Sequence, residues 1–375
     1  MQTNPILTIL CVAQLVLVGC QTTQVQQKVE PEIEAITPDV QEPQKPLVIV
    51  TPTVEPKTIT LGFVGDILLA GSAKNTLVKN GYDFPFVNLQ STLDQSDILF
   101  GNLEGPLTNF DEIYIEKTYA FRSDPQPTAQ ALSKAGFDVV SLANNHALDY
   151  GWQGLSDTQN VLDEVNIQYV GAGANKTEAR APVIIEKEGI KIGYLAYNNT
   201  FPKEFWATDE SFGVAYGKQS EFLQDIKKLA LISDIQIISF HWGVEGSTNL
   251  RGYQTDFARA AIDAGADIVV GHHPHVLQAI EKYNDGLILY SIGNFTFGTY
   301  GRLAQTSGMF NVEVTKEEVV SMNMTGINIY NKDVHFQPTL LGEDEMQSLF
   351  DQLDGLSLPL GTELGLVEGK LVLGF

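Results

Sequence analysis

The sequence predicts an α/β domain built on a mixed, largely parallel sheet, and three observations lead there. From Thr58 onward, short β-branched runs alternate with amphipathic stretches, the pattern of strands joined by helical crossovers. With 375 residues, 43% of them hydrophobic, the chain can bury a sizeable core, which excludes wholly disordered, collagen-like and coiled-coil classes. Polar residues suited to chemistry gather just beyond the predicted strands, where open α/β sheets bind their ligands.

The first twenty residues contain no Asp, Glu, Lys or Arg, and Ile6 to Val18 is mostly apolar. At about 1.5 Å per residue this run is short for a bilayer and suits the core of a signal peptide. It ends in Leu17-Val18-Gly19-Cys20, which resembles a bacterial lipobox with Cys20 as the lipidated residue; an uncleaved N-terminal anchor is the alternative. Residues 21–57 hold six prolines and six acidic residues and no Gly, His or aromatic residue. Such a segment cannot offset its ordering entropy by burial and reads as a tether. The expected location is therefore the bacterial envelope, outside the cytoplasm and held to a membrane by lipid. Cys11 and Cys20 are the two cysteines, so a disulfide framework or cysteine-based zinc site in the body is excluded.

The body is expected over residues 58–305. Its predicted strands are Ile59–Val64, Ile98–Gly101, Asp138–Ala143, Ile167–Gly171, Val183–Glu186, Ile190–Ala196, Ile235–Phe240, Ile268–Gly271 and Leu287–Ile292. Helical stretches fall at Thr128–Ala135, Gly154–Val165, Ser220–Leu231 and Thr255–Ala264. Residues 306–375 read as an extension with two β-like runs, Met309–Val314 and Val319–Tyr330, and a weakly patterned tail. The balance of 46 acidic residues against 23 Lys and Arg, a formal net charge of -23, repels phosphate backbones, so no nucleic-acid partner is expected.

Five predicted strands run into polar clusters: Gly65-Asp66, Asn102-Leu103-Glu104-Gly105, Asn144-Asn145-His146, His241-Trp242-Gly243 and His272-His273-Pro274-His275. Asp, Glu, Asn and His without Cys is a donor set for a divalent ion such as Mn²⁺, Fe²⁺ or Zn²⁺. In an extended segment, the i, i+2 spacing of His273 and His275 places both imidazoles on one side, able to chelate one ion. Each element has a plainer reading. Asp66 can cap a turn, Glu104 can sit in one, Asn145-His146 can be a hydrogen-bonded loop pair, and His241 can be a buried, backbone-satisfied histidine. Three histidines in four residues are rarely structural, and the joint pattern favours a metal site. His335 lies outside every cluster.

The segments Leu61-Gly62-Phe63-Val64-Gly65-Asp66, Asn102-Leu103-Glu104-Gly105-Pro106-Leu107-Thr108, Ala143-Asn144-Asn145-His146-Ala147-Leu148-Asp149-Tyr150-Gly151, His241-Trp242-Gly243-Val244-Glu245 and Gly271-His272-His273-Pro274-His275 resemble, in family order, the motifs of the capsule synthesis protein CapA family. That resemblance implies a calcineurin-like, metallophosphatase-like layered sandwich, with mixed sheets flanked by helices and a metal site at the carboxyl ends of strands. It implies metal positions at Asp66, Glu104, Asn145, His241, His273 and His275, with Glu104 in the bridging position for one or two ions. It places His146 as proton donor or transition-state stabiliser, and Asp149 is a further expected catalytic residue. Leu68 occupies a position where phosphoesterases carry a His ligand.

The implied role is in poly-γ-glutamate capsule biosynthesis or export. Three forms of it remain: a metal-dependent enzyme acting on γ-glutamyl polymer or a related amide, a non-catalytic polymer-binding component, or a metal-dependent phosphoesterase. The expected partners are an anionic polymer such as poly-γ-glutamate, the membrane, and membrane components of the capsule machinery. A polyanion needs local cations on so acidic a chain. Lys117, Arg122 and Arg251 are candidates, with Arg122 the best because its fork suits carboxylates; a solvated surface arginine is the plainer reading. Asn294, in Tyr290-Ser291-Ile292-Gly293-Asn294-Phe295, is a further expected substrate contact. A thiol at the end of an apolar run has a lipid as its expected partner, so Cys20→Ser should leave the precursor uncleaved and unlipidated. Metabolic labelling with a fatty-acid analogue checks this, and equal labelling of mutant and wild type would refute it.

Overall fold

Alternation at period two decides the architecture. In successive strands, odd and even residues enter different apolar clusters, so both faces of each sheet are buried. The computed structural model describes Lys28 and residues 57–375. The predicted signal peptide, Cys20 and all but two residues of the predicted tether lie outside the described residues. Ahead of residue 215 the strands are β1 (Ile59–Ile67), β2 (Ile98–Leu103), β3 (Phe137–Ser141), β4 (Gln168–Val170), β5 (Ala172–Gly173), β6 (Val183–Lys187), β7 (Ile190–Asn198) and β8 (Gly213–Val214). Next come β9 (Ile235–His241), β10 (Ile268–His272), β11 (Ile280–Tyr283), β12 (Gly286–Leu289) and β13 (Asn294–Thr296). The last are β14 (Thr306–Val314), β15 (Val319–Asn328), β16 (Thr339–Leu340), β17 (Gly365–Val367) and β18 (Lys370–Gly374).

The first sheet runs β17-β18-β15-β14-β1-β2-β3-β4, with β13 beside β1 and β16 beside β15; the second runs β11-β12-β10-β9-β7-β6. Pairing is parallel from β1 through β4, between β1 and β13, and across β7, β9, β10 and β12, and antiparallel elsewhere in both sheets. Leu61, Phe63, Phe100 and Val139 from the first sheet meet Ile192, Tyr194, Ile237 and Val270 from the second in one inner core. The outer face of the first sheet, with Leu99 and Val140, is covered by helices Pro125–Ala135 and Gly151–Glu164. That of the second, with Leu195 and Ile238, is covered by Gln219–Leu229 and Gly252–Asp263. The result is the expected layered α/β sandwich with mixed sheets flanked by helices.

The sequence boundary at 305 does not divide the sandwich, because β14 pairs antiparallel with β1 at the middle of the first sheet. The weakly patterned tail is also ordered: it forms helix Glu343–Ser357 and the edge strands β17 and β18. Met346, Leu349 and Leu353 of that helix enter the inner core. No helix among the described residues is long and apolar enough to cross a membrane.

The amino ends of the parallel strands share one device. An aspartate entering a strand accepts a hydrogen bond from a backbone N–H of the neighbouring strand: Asp97 from Thr60 (2.9 Å), Asp138 from Leu99, Asp234 from Lys191 and Asp267 from Gln236 (each 2.8 Å). These carboxylates peg the register at the end opposite the polar clusters. Burial pushes the Asp267 carboxyl up to about 6, against the opposing effect of the Gln236 N–H. Its folded-state pKa thus exceeds the unfolded one, so the folded state binds the proton more tightly. Stability from this group is present at acidic pH and falls as pH rises through about 6. Asp267→Asn keeps an acceptor without the charge, and should be more stable than wild type at pH 7.5 by on the order of 1 kcal/mol. Urea melts at pH 7.5 and pH 4 check this: the advantage should fade at the lower pH, and a pH-independent difference would contradict it.

Candidate metal centre

Strand direction brings all five clusters together. β1, β2 and β3 of the first sheet and β9 and β10 of the second present their carboxyl ends at one edge of the sandwich, and Asp66, Glu104, His146, His241 and His273 are all buried there. Between the two halves runs Tyr290 to Asn294, which leaves β12 in the second sheet and enters β13 in the first. Its close passage explains two glycines. A Cβ on Gly65 would lie 2.0 Å from Gly293 O, and one on Gly271 would lie 1.9 Å from Tyr290 O. Glycine before Asp66 and before His272 lets this segment form the floor, and Asp66 N donates to Gly293 O at 2.9 Å.

Two buried carboxylates dominate the centre. Asn102 Nδ2 donates to Asp66 Oδ1 (2.8 Å) and to Glu104 Oε2 (3.3 Å), while Asn102 Oδ1 accepts from Asn144 Nδ2 (3.1 Å). His272 Nδ1 and His275 Nδ1 each lie 3.1 Å from an Asp66 oxygen. Burial alone would push the Asp66 carboxyl up, but these two histidines hold it well below the usual carboxylate range. Glu104 moves the other way: burial, reinforced by the Asp66 charge, pushes it well above its ordinary value. His241 and His273 are pushed down by burial and by neighbouring histidines, His273 to about 3. His275 is held up to about 10, because Glu104 and Asp66 outweigh the effect of its burial.

The donor atoms fit a cation. Glu104 Oε1 and His273 Nδ1 are buried with no hydrogen-bond partner, which is costly unless something binds them. Glu104 Oε1 lies 3.6 Å from His275 Nε2 and 3.9 Å from His241 Nε2. These separations are too long for hydrogen bonds and close to the spacing of about 3.4 Å between tetrahedral ligands of one ion with bonds near 2.1 Å. Two ligand groups result, Glu104-His273-His275 and Asp66-Glu104-His241, and Glu104 belongs to both. Asn145 Oδ1 lies beside the second group, in hydrogen-bond contact with His241 Nε2 at 2.8 Å.

His273 and His275 do not lie in an extended segment as the sequence analysis expected. Their φ angles are 93° and 59°, in the left-handed region that non-glycine residues avoid. This tight turn, rather than strand alternation, aims both rings at Glu104.

Beside these groups, His146 Nδ1 lies 2.8 Å from Asp149 Oδ2, and Asp149, fully buried, also accepts from Phe121 N (2.7 Å) and Lys117 Nζ (2.5 Å). Burial lowers the His146 pKa despite the Asp149 charge, so its neutral form is the one present near neutral pH.

Two expected substrate contacts are placed otherwise. Arg122 Nη1 donates to the carbonyls of Asn109 and Phe110, and its guanidinium lies over the Tyr150 ring; it braces a loop. Asn294 Oδ1 pairs with His275 Nδ1 at 2.8 Å and its Nδ2 with Thr299 Oγ1, so it orients a ring. Leu68 is buried and its backbone N–H joins Thr296 O. His335 is exposed. Sequence reasoning missed the roles of Asn102, which holds the two carboxylates together, and of His272, which orients Asp66. Asn102 sits in the same strand-end cluster as Glu104, and that was the available signal.

Residues 60–299 match the family described as bacterial capsule synthesis protein PGA_cap. The chain belongs to this family. A member from Bacillus anthracis, named capsule biosynthesis protein CapA, is 32% identical over 73% of this chain and 68% of its own length. The PGA biosynthesis protein CapA of Bacillus subtilis is 31% identical over 80% of each. Among solved structures, a 5'-nucleotidase precursor from Thermus thermophilus aligns over 76% of this chain and 55% of its own, with 14% identity and a TM-score of 0.45.

If His273 and His275 hold a cation with Glu104, His273→Ala and His275→Ala should each lower Mn²⁺ or Zn²⁺ affinity at least tenfold, whereas His335→Ala should not. Calorimetric titration of the three variants checks this, and equal affinities would refute the assignment.

Proposed function

We propose that this PGA_cap family member is a lipid-anchored envelope protein of poly-γ-glutamate capsule biosynthesis or export. In this reading it is a metal-dependent hydrolase or transferase acting on the γ-glutamyl polymer or a related amide. The observation that carries it is the shared carboxylate: Glu104 belongs to two adjoining ligand groups, while the His146–Asp149 pair sits beside them. A divalent ion, Mn²⁺, Fe²⁺ or Zn²⁺, supplies a Lewis acid for a carbonyl or a bound water. Asp66, Glu104, Asn145, His241, His273 and His275 would hold it, as one ion or two.

His146 is the proton-transfer residue. Asp149, accepting from Nδ1, orients the ring and leaves Nε2, which has no partner among the described residues, to exchange the proton with substrate. Asn294 and His272 fix the directions of His275 and Asp66. Arg122 and Lys117 are engaged by internal partners. This weakens the purely polymer-binding reading, since a polyanion would then rest on the ion more than on free side-chain cations.

His146→Ala separates catalysis from binding. It should retain the metal and polymer affinity while lowering turnover by roughly 10² to 10⁴, with cell-bound polymer reduced accordingly. Metal content, polymer affinity and polymer output measured together check this; unchanged output would remove His146 from the chemistry and favour a binding component.

A further inference from the structure

Lys117 lies in the irregular segment between β2 and the helix at Pro125, far along the chain from the residues it touches. Its Nζ donates to Asn145 O at 2.7 Å and Asp149 Oδ1 at 2.5 Å, lies 3.1 Å from His146 Nδ1, and sits 5.3 Å from the centre of the Phe205 ring. The side chain is 18% exposed and the Asp149 carboxylate fully buried. A solvated surface lysine would not spend two hydrogen bonds on one turn of chain.

These contacts have a consistent chemistry. An ammonium has three donors and no acceptor. Engaged by Asp149 Oδ1 and Asn145 O, it leaves Asp149 Oδ2 to accept from Phe121 N and from His146 Nδ1–H. Nδ1 must then carry the hydrogen, and Nε2 is the lone-pair nitrogen. Without the ammonium, Asp149 would be a buried carboxylate lacking its one cationic partner among the described residues, and the Asn145 carbonyl would lose its hold. Asn145 Oδ1, only a side chain away from that carbonyl, is the atom directed at His241.

We infer that Lys117 is a positioning residue that locks the Asn145–Asp149 turn, fixing the His146 ring as its Nδ1–H tautomer and holding the Asn145 amide toward His241. This rests on the reading of His146 as the proton-transfer residue, and it reassigns Lys117 from the expected role of a free cation for polymer. It also divides the centre's support between two parts of the fold. His146 and Asp149 follow β3, whereas Lys117 arrives on the loop after β2 and packs against Phe205 of the loop after β7.

The test uses ¹⁵N-histidine-labelled protein without added metal, at one fixed pH of about 7.5, with long-range ¹⁵N–¹H correlation spectra assigned through His146→Ala. Wild type should show a single Nδ1–H tautomer at His146. Lys117→Met and Lys117→Gln should show mixed tautomers and a three- to tenfold weaker Mn²⁺ affinity, and Lys117→Arg should recover most of both. If Lys117→Met fails to fold by its thermal melt, Lys117→Gln decides. An unchanged tautomer together with Mn²⁺ affinity within twofold of wild type, in whichever folded variant is read, overturns the inference. Because neither readout is turnover, a positive result with no activity on γ-glutamyl polymer would leave the positioning role intact and count against the proposed reaction instead.

Discussion

Two carboxylates buried within 4.8 Å of each other set the terms for the rest of the centre. Were Asp66 and Glu104 both ionised, their repulsion at an effective dielectric near 20 would be about 3 kcal/mol or more, before any cost of desolvation. The surroundings answer that constraint. Asn102 donates to both, His272 and His275 face Asp66, and His275 lies on the Glu104 side as well. Charge placed where a compact fold resists it marks a candidate functional site rather than a source of stability.

The backbone shows the same expense. His273 and His275 both adopt positive φ, a conformation that costs on the order of 1 kcal/mol or more for a side chain of this size. Glu104 Oε1 and His273 Nδ1 are buried without partners beside them. Strain and unsatisfied donors or acceptors in one place are tolerated because the sheets around it are over-determined: both faces are packed and the register is pegged by aspartates at the far end.

Most of the sandwich was legible because β-branched runs ending in polar residues are a local signal. The four expected helices appear within a few residues of their predicted bounds, and the five clusters meet as strand direction required. Three things were not legible. The helix at Glu343 hides a short stripe, Met346, Leu349 and Leu353, among acidic residues and a glycine, and its partners lie far away in the chain. The His273–His275 turn depends on a backbone state that residue types alone do not announce. Arg122 and Asn294 were read by what their heads can bind, but the nearest partners in the folded chain are a pair of carbonyls and a histidine ring. The recurring aspartate at strand entrances, as in Ser96-Asp97-Ile98 and Ser233-Asp234-Ile235, was visible in the sequence, but its meaning required knowing which strands are neighbours.

The crossing from Tyr290 to Asn294 has a consequence for how such a scaffold diversifies. Because it stitches the ends of both sheets through contacts that exclude even a methyl group at Gly65 and Gly271, the base of the crevice cannot widen to admit a bulkier guest. The connections following β2 and β7, which carry Tyr119 and Phe201 at the surface, are under no such constraint. Variation in sequence at those two connections leaves the floor beneath Asp66 and Glu104 undisturbed.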